Sequence, residues 1–304
     1  MIHLPITPPG QWIRQLPVSI ILFFLALVPL HAADQEVKIS YNGLTLNAAL
    51  ANPGNTLAGK SVILIVHGTL AHNGMEIISG LQQALVERDI PSLAMNLSLG
   101  QSDRKGMYDC KTEHIHKHED ALDEIDQWLN WLEAQGVKSI TLLGHSRGGN
   151  QVAWFAAERM RPQITRVILM APMTWDPQYT ARSYAKNYGA KLAPLLEKAK
   201  SMGEGIMKSV DFIYCPKANV KASSFVSYYR DDARKNTPFL LPRIKRPVLV
   251  LVAENDKVVK NLAPKVRPLL KGSTIKMVEI SEAGHMFLDF ALEDAADSIA
   301  EFLE

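Results

Sequence analysis

Cysteine is scarce in this chain: Cys110 and Cys215 are the only two among 304 residues. They form no C-x-x-C pair, which argues against a thioredoxin-like redox site and a zinc ribbon. Surplus charge is scarce too. Lys and Arg total 33 against 31 Asp and Glu, a formal net charge of +2, so no global field points to nucleic acid. There is no internal repeat and no low-complexity tract. The N-terminal apolar stretch Val18–Val28 stops at eleven residues, well short of the roughly 20 that an ordinary membrane span needs.

That short stretch has the layout of a secretory signal peptide. Arg14 is the only charged side chain before Asp34, Pro17 and Pro29 bound the apolar run, and Leu30-His31-Ala32 ends in a small residue before polar Asp34-Gln35-Glu36. Cleavage after Ala32 predicts a periplasmic or secreted protein of residues 33–304. The alternative is an uncleaved segment that anchors the chain to a membrane. No cysteine near the cleavage region supports a lipid anchor. In an oxidising compartment the two cysteines can pair, but sequence alone leaves a bridge and two separate buried thiols equally open.

Beyond residue 35 strands and helices alternate. Val37–Ser40 and Leu44–Leu50 flank Asn42-Gly43, a hairpin signal. Ser61–Gly68 is a continuous apolar run suited to a strand buried on both faces. A helix over about Met75–Arg88 and a short strand at Pro91–Leu97 follow. Ala121, Leu122, Ile125, Trp128, Leu129 and Leu132 then recur at helical spacing. Strands at Ser139–Gly144, Arg166–Ala171, Pro247–Ala253 and Thr274–Ile280, and helices from about Asn150 and over Leu288–Leu303, complete an α/β pattern: a hairpin entering a mostly parallel sheet with helices on both faces.

One interval breaks this rhythm. Residues 172–246 are far more than a single crossover requires. They include helical patches at Tyr179–Tyr188 and Lys191–Met202, six of the eight tyrosines, and 14 Lys/Arg against six Asp/Glu. Without Arg14 the mature chain is at +1, so everything outside this +8 insertion sums to −7. A basic, tyrosine-rich insertion on an acidic body reads as a lid. Its tyrosines and Trp175 either line an acyl pocket or pack the lid on the core. Its charge either meets an anionic substrate or membrane surface or is an ordinary solvated face.

Chemistry concentrates at strand ends. Gly144-His145-Ser146-Arg147-Gly148 lies between an apolar strand and a helical stretch, the context in which a serine stands on a sharp turn with its hydroxyl clear of the sheet. A serine needs a base, and His285 follows the strand ending at Ile280. A base needs a group to orient it, and Asp256 follows the strand ending near Val252; Glu254, on the same loop, is the alternative. An oxyanion needs donors. The backbone N–H of Arg147 is one, and that of Thr69 or Leu70, in the loop after His67-Gly68, is the other. Ser146, Asp256 and His285 each follow a strand's carboxyl end, where open α/β sheets build sites.

With His67-Gly68-Thr69, Gly144-His145-Ser146-Arg147-Gly148-Gly149, Glu254-Asn255-Asp256 and Ala283-Gly284-His285, the chain from about Val37 to Glu304 resembles the α/β-hydrolase superfamily, in its serine esterase and lipase-like branch. The resemblance implies an eight-stranded sheet, a helical lid inserted after the sixth strand, and cleavage of a carboxylic ester or thioester through an acyl-serine, with no metal or organic cofactor. The oxyanion loop is not the triple-glycine type, and a serine nucleophile sets the chain apart from aspartate-dependent dehalogenases and epoxide hydrolases. The expected partner is a small ester-type molecule. Substrate identity and oligomeric state stay open. Acyl transfer on the same three residues, and a binding module on a retired hydrolase scaffold, are the other readings.

Three further stretches carry polar side chains outside this pattern. Gly54–Ser61 matches G-x-x-x-x-G-K-[ST], but a strand and not a helix follows Ser61, so no helix N-terminus is available to cradle phosphate. His114, His116 and His118 alternate and, in an extended segment, share a face that can ligate a transition metal; the other reading is a polar loop leading into a helix near Asp120. Asn96, Ser98 and Asp103 are expected to face the site edge.

Overall fold

The computed structural model describes residues 35–272 and 274–304; the leader reading at residues 1–32 lies outside them. Strands β1 (Gln35–Tyr41) and β2 (Leu44–Ala51) form the predicted hairpin. Then follow β3 (Ser61–Val66), α1 (Glu76–Val86), β4 (Ser92–Asn96), α2 (Asp120–Ala134), β5 (Ser139–His145), α3 (Arg147–Glu158) and β6 (Ile164–Met170). The interval after β6 holds α4 (Pro177–Tyr188), α5 (Leu192–Met202), β7 (Ile206–Phe212), β8 (Cys215–Lys221), α6 (Ala222–Tyr229) and α7 (Thr237–Leu240). The chain closes with β9 (Val248–Ala253), α8 (Leu262–Val266), β10 (Ile275–Ile280) and α9 (Phe290–Leu303).

Eight strands form one sheet in the order β1-β2-β4-β3-β5-β6-β9-β10. β1 and β2 pair antiparallel, β2 runs antiparallel to β4, and every later pair is parallel. This is the α/β-hydrolase sheet. Because strand side chains alternate faces, each central strand feeds two cores. Val62, Leu64 and Val66 pack with Trp128 of α2 and Val152 of α3. Ile63 and Ile65 pack with Leu81 of α1 and Ile299 of α9. β9 does the same, with Val248, Val250 and Val252 on one side and Leu249 and Leu251 on the other. Being covered on both faces is what made these strands read as unbroken apolar runs.

The insertion carries the two helices expected from its patches, α4 and α5, together with an antiparallel ribbon, β7–β8. Irregular pairing in the ribbon, with register shifts after Met207 and Val210, obscures its two-residue alternation. The segment between β4 and α2 is stitched to this ribbon twice. His114 donates its N–H to the Asn219 carbonyl (2.8 Å) and accepts from the Lys221 N–H (2.9 Å), and Cys110 is bonded to Cys215 with their Cα atoms 5.2 Å apart. The open question about the cysteines is settled in favour of a bridge. No helix among the described residues is long and apolar enough to cross a membrane.

The bridge closes a loop with a sequence separation of 105, for which chain-entropy restriction of the unfolded state is worth about 4–5 kcal/mol. Reduction, or Cys110→Ser with Cys215→Ser, is expected to lower the unfolding midpoint by several degrees. Thermal melts with and without reductant check this; an unchanged midpoint refutes it.

Candidate active site

Ser146 sits between β5 and α3 with φ 57° and ψ −119°, a left-handed conformation that costs a non-glycine residue about 1–3 kcal/mol. Its backbone is clamped: its N–H donates to the Met170 carbonyl (2.9 Å), and its carbonyl accepts from the Met173 N–H (2.8 Å). The turn also demands close approach of strand and helix. A Cβ on Gly144 would overlap the Gly148 carbonyl, and one on Gly148 would overlap the carbonyls of Val66 and His67. The helix therefore begins at Arg147, immediately after the serine, earlier than the Asn150 expected from periodicity.

Three side chains separated in sequence meet here. The Ser146 hydroxyl donates to His285 Nε2 across 2.9 Å, and His285 Nδ1–H donates to Asp256 Oδ2 across 2.7 Å. The Val258 and Val259 amides donate to the other Asp256 oxygen at 2.7 and 2.8 Å. Burial opposes charge on Asp256, yet the His285 bond, the Val259 and Val258 amides and the nearby imidazole outweigh it and hold the carboxyl below its ordinary range. Glu254 is excluded from this relay; it is exposed and accepts from the Glu282 amide. A cavity of about 140 Å³ adjoins the serine, lined by Gly68, Thr69, Met75, Ser146, His285 and Met286 among others. Thr69 lines it, whereas Leu70 is buried at φ 53° with its carbonyl held by the Tyr108 amide. The Arg147 amide, first in α3, has no acceptor one turn earlier in the helix.

Sequence reasoning missed the supports of this arrangement. His145 is buried and donates Nε2–H to the His285 carbonyl (2.8 Å), fixing the loop that presents the imidazole; burial, then the His285 ring, lower its pKa to about 4. His67 donates Nδ1–H to the Gly68 carbonyl (2.9 Å), and its Nε2 accepts from the Leu97 amide (3.0 Å). Burial and the neighbouring Arg104 cation lower its pKa to about 3. Arg104, 4% exposed, reaches the carbonyls of Leu97 (2.8 Å), Gly106 (2.6 Å) and Ala71 (2.8 Å) and Asn96 Oδ1 (2.7 Å). It ties the loop after β3 to the loop after β4. The adjacency of His67 to Gly68 and of His145 to Ser146 was the only available signal for the two histidines. Arg104 gave none, because a buried cation reads in sequence like a surface one.

Several expectations need correction. Asn96 and Ser98 lie beneath the site edge as buried ligands of Arg104 and Glu124. Asp103 is not at the site: it pairs with Lys38 (2.6 Å) and Lys105 (3.3 Å) beside the β1–β2 hairpin. The three alternating histidines are not a polar surface loop, since each is at most 1% exposed. The ribbon and α6 cover them. His116 Nδ1 pairs with the Tyr228 hydroxyl (2.8 Å), while His118 donates Nε2–H to Asn150 (2.9 Å) and accepts from Arg147 Nη1 at Nδ1 (3.1 Å). Burial drives all three pKa values down, His114 to about 4. Among the described residues no group of three or more His, Cys, Asp or Glu is arranged to hold a metal. Trp175 lies under the Lys235 ammonium (3.9 Å) and does not line the serine cavity.

The family model described as serine aminopeptidase, S33, matches residues 58–288. Phospholipase YtpA of Bacillus subtilis (strain 168) is 24% identical over 213 residues, covering 66% of this chain and 77% of that protein. Est1E from Butyrivibrio proteoclasticus, solved with ferulic acid bound, superposes with a TM-score of 0.64 at 22% identity over 88% of this chain and 97% of that one. The Pyrococcus furiosus esterase Pf2001 gives a TM-score of 0.58 at 16% identity, covering 89% of each chain.

Two outcomes follow from this packing. Gly148→Ala must push apart backbone that cannot yield cheaply, and is expected to cost about 1–3 kcal/mol or more, read as a lower melting temperature. Burial pushes Glu124 up to about 7, against two hydrogen bonds from Ser98. Because the folded-state value lies above the unfolded one, the unfolded chain loses this proton first. Stability is therefore greatest below about pH 4.5 for this group, falls as pH rises towards 7, and is level beyond. Glu124→Gln is expected to flatten that segment of the stability–pH curve; an unaltered slope in urea unfolding at pH 5 to 7 counts against it.

Proposed function

Because the chain belongs to the serine aminopeptidase S33 family of α/β-hydrolases, we propose that it is an exported serine hydrolase that cleaves a carboxylic ester or thioester. The single observation that carries the reading is the relay Ser146–His285–Asp256, with both hydrogen bonds under 3 Å. His285 accepts the Ser146 proton at Nε2 as Oγ attacks the ester carbonyl. The tetrahedral oxyanion is held by the amides of Arg147 and of Thr69, with Leu70 the less favoured donor. His285 then protonates the leaving group, and the acyl-serine is released by water that the same imidazole deprotonates. Asp256 keeps the required tautomer and stabilises the imidazolium.

Export is supported by the Cys110–Cys215 bridge, a bond that persists in oxidising compartments, and by the signal-like leader. The substrate side is supported by the names esterase and phospholipase carried by similar proteins. Exposed Tyr214 and Val258 at the cavity wall, beside a basic insertion, suit an amphiphilic ester and contact with an anionic membrane surface.

Ser146→Ala is expected to abolish both hydrolysis of short p-nitrophenyl esters and labelling by a fluorophosphonate. Asp256→Asn is expected to lower kcat by roughly 10³–10⁴-fold. Probe labelling that persists without the hydroxyl rejects the nucleophile. Labelling absent from the wild-type protein, with salt-sensitive anion binding present, supports a retired scaffold, and ester product formed with an added alcohol identifies acyl transfer.

A further inference from the structure

All six tyrosines of the insertion line one chamber of about 240 Å³, together with Arg147. We propose that this chamber is a second substrate subsite selective for an arene that bears a carboxylate; the proposal rests on the hydrolase reading above and names its substrate class. Tyr214 and the Ser146–Arg147 bond join it to the serine cavity, since Tyr214 lines both spaces and Arg147 follows the nucleophile directly.

The chamber's chemistry comes from what its side chains have already spent. Tyr184 donates its hydroxyl to the Asp211 carbonyl (2.7 Å) and Tyr188 donates to the Ile213 carbonyl. The Tyr229 hydroxyl accepts from the Ile213 amide (2.8 Å), and the Tyr228 hydroxyl pairs with His116 (2.8 Å). Four of six hydroxyls are thus engaged with protein, so these residues offer ring faces and edges more than phenol groups. Tyr184 stands edge-to-face with Tyr188 and Tyr229, at 4.9 and 5.3 Å between centroids. Such a wall receives another aromatic ring better than a flexible alkyl chain.

Arg147 supplies the charge. Its guanidinium is fixed from two sides, Nε donating to Thr69 Oγ1 (2.9 Å) and Nη1 to His118 Nδ1 (3.1 Å), and it lies over the Tyr228 ring at 5.0 Å. Neither partner is anionic. No carboxylate among the described residues stands within ion-pairing distance of it, whereas Arg230 and Arg234 of the insertion each have one. Nη2 has no partner within the described protein. A half-buried, oriented guanidinium with donors to spare and no counter-charge is a carboxylate receptor. A neutral aliphatic substrate would desolvate that cation without replacing its water, so the same feature discriminates against it.

The test uses full-length mature protein carrying Ser146→Ala, so that binding is read without turnover. Benzoate, cyclohexanecarboxylate and benzyl alcohol are titrated by calorimetry or by NMR. Benzoate is expected to bind at least about tenfold more tightly than either analogue, and Arg147→Gln to remove about tenfold of that affinity, the worth of one hydrogen bond to a charged group. Arg147→Lys is expected to recover part of it. Tyr179→Ala, at an exposed rim position, is expected to weaken benzoate several-fold and provides a second reading if the arginine variant does not fold. Equal affinity for the three ligands, or benzoate binding indifferent to both changes, overturns the proposal. A Ser146→Ala protein that still hydrolyses esters would instead remove the nucleophile and leave the benzoate selectivity standing.

Discussion

The close contact of β3, β5 and α3 around Ser146 is the constraint on which the site depends. A serine at φ 57° is unfavourable in isolation and persists only where its surroundings over-determine it. Here the carbonyl of Met170 and the amide of Met173 hold its backbone from either side. Glycines at 144 and 148 remove the side chains that would otherwise keep the strand from the helix. Ser146 then stands at the rim where His285 can reach it, at the amino end of a helix whose dipole favours negative charge. The backbone conformation, the glycine spacing and the position of the hydroxyl are one constraint seen at three levels.

Around this turn the protein uses histidines in two opposite ways. His67, His118 and His145 are buried, and burial holds each of them neutral at physiological pH. Each has a defined tautomer set by its partner: a carbonyl for His67 Nδ1 and His145 Nε2, an amide oxygen for His118 Nε2. His67 and His118, bonded at both nitrogens, act as rigid two-ended linkers. His285 differs in having a carboxylate at one nitrogen and a hydroxyl at the other. That pairing orients the ring from both sides, with one nitrogen towards Asp256 and the other towards Ser146. Arg104, with its carbonyl partners, performs the linking role where a longer reach is needed, between the loops after β3 and β4.

The parts legible in the sequence are those with a local or periodic signature. Buried parallel strands read as apolar runs, the hairpin as Asn42-Gly43, and the site triplet as three polar residues each just beyond a strand. Position favoured Asp256 with Glu254 as the alternative on the same loop, and the fold shows that Asp256 is the carboxylate meeting Nδ1. The histidines at 114, 116 and 118 misled because alternation in a charged stretch is read as a solvated loop, whereas a ribbon from 100 residues downstream covers them. Asp103 misled in the same manner: position after a strand brought it near the right edge, and long-range pairing with Lys38 took it to the hairpin. Burial by distant segments is a tertiary property, and no local pattern encodes it.

The insertion is coupled to the turn rather than laid loosely across it. Arg147 bonds to Thr69 on the body and to His118, whose backbone amide is in turn held by Ser227 of α6. His114 continues the contact through β8, and the Cys110–Cys215 bridge secures the same neighbourhood covalently. A substitution in α6 or the ribbon can therefore move the guanidinium beside Ser146 without touching the Ser146–His285–Asp256 hydrogen bonds. The insertion thus shapes the chamber, while the sheet positions Ser146, Asp256 and His285. The residue on which the two meet is Arg147, whose amide belongs to the turn and whose side chain belongs to the chamber.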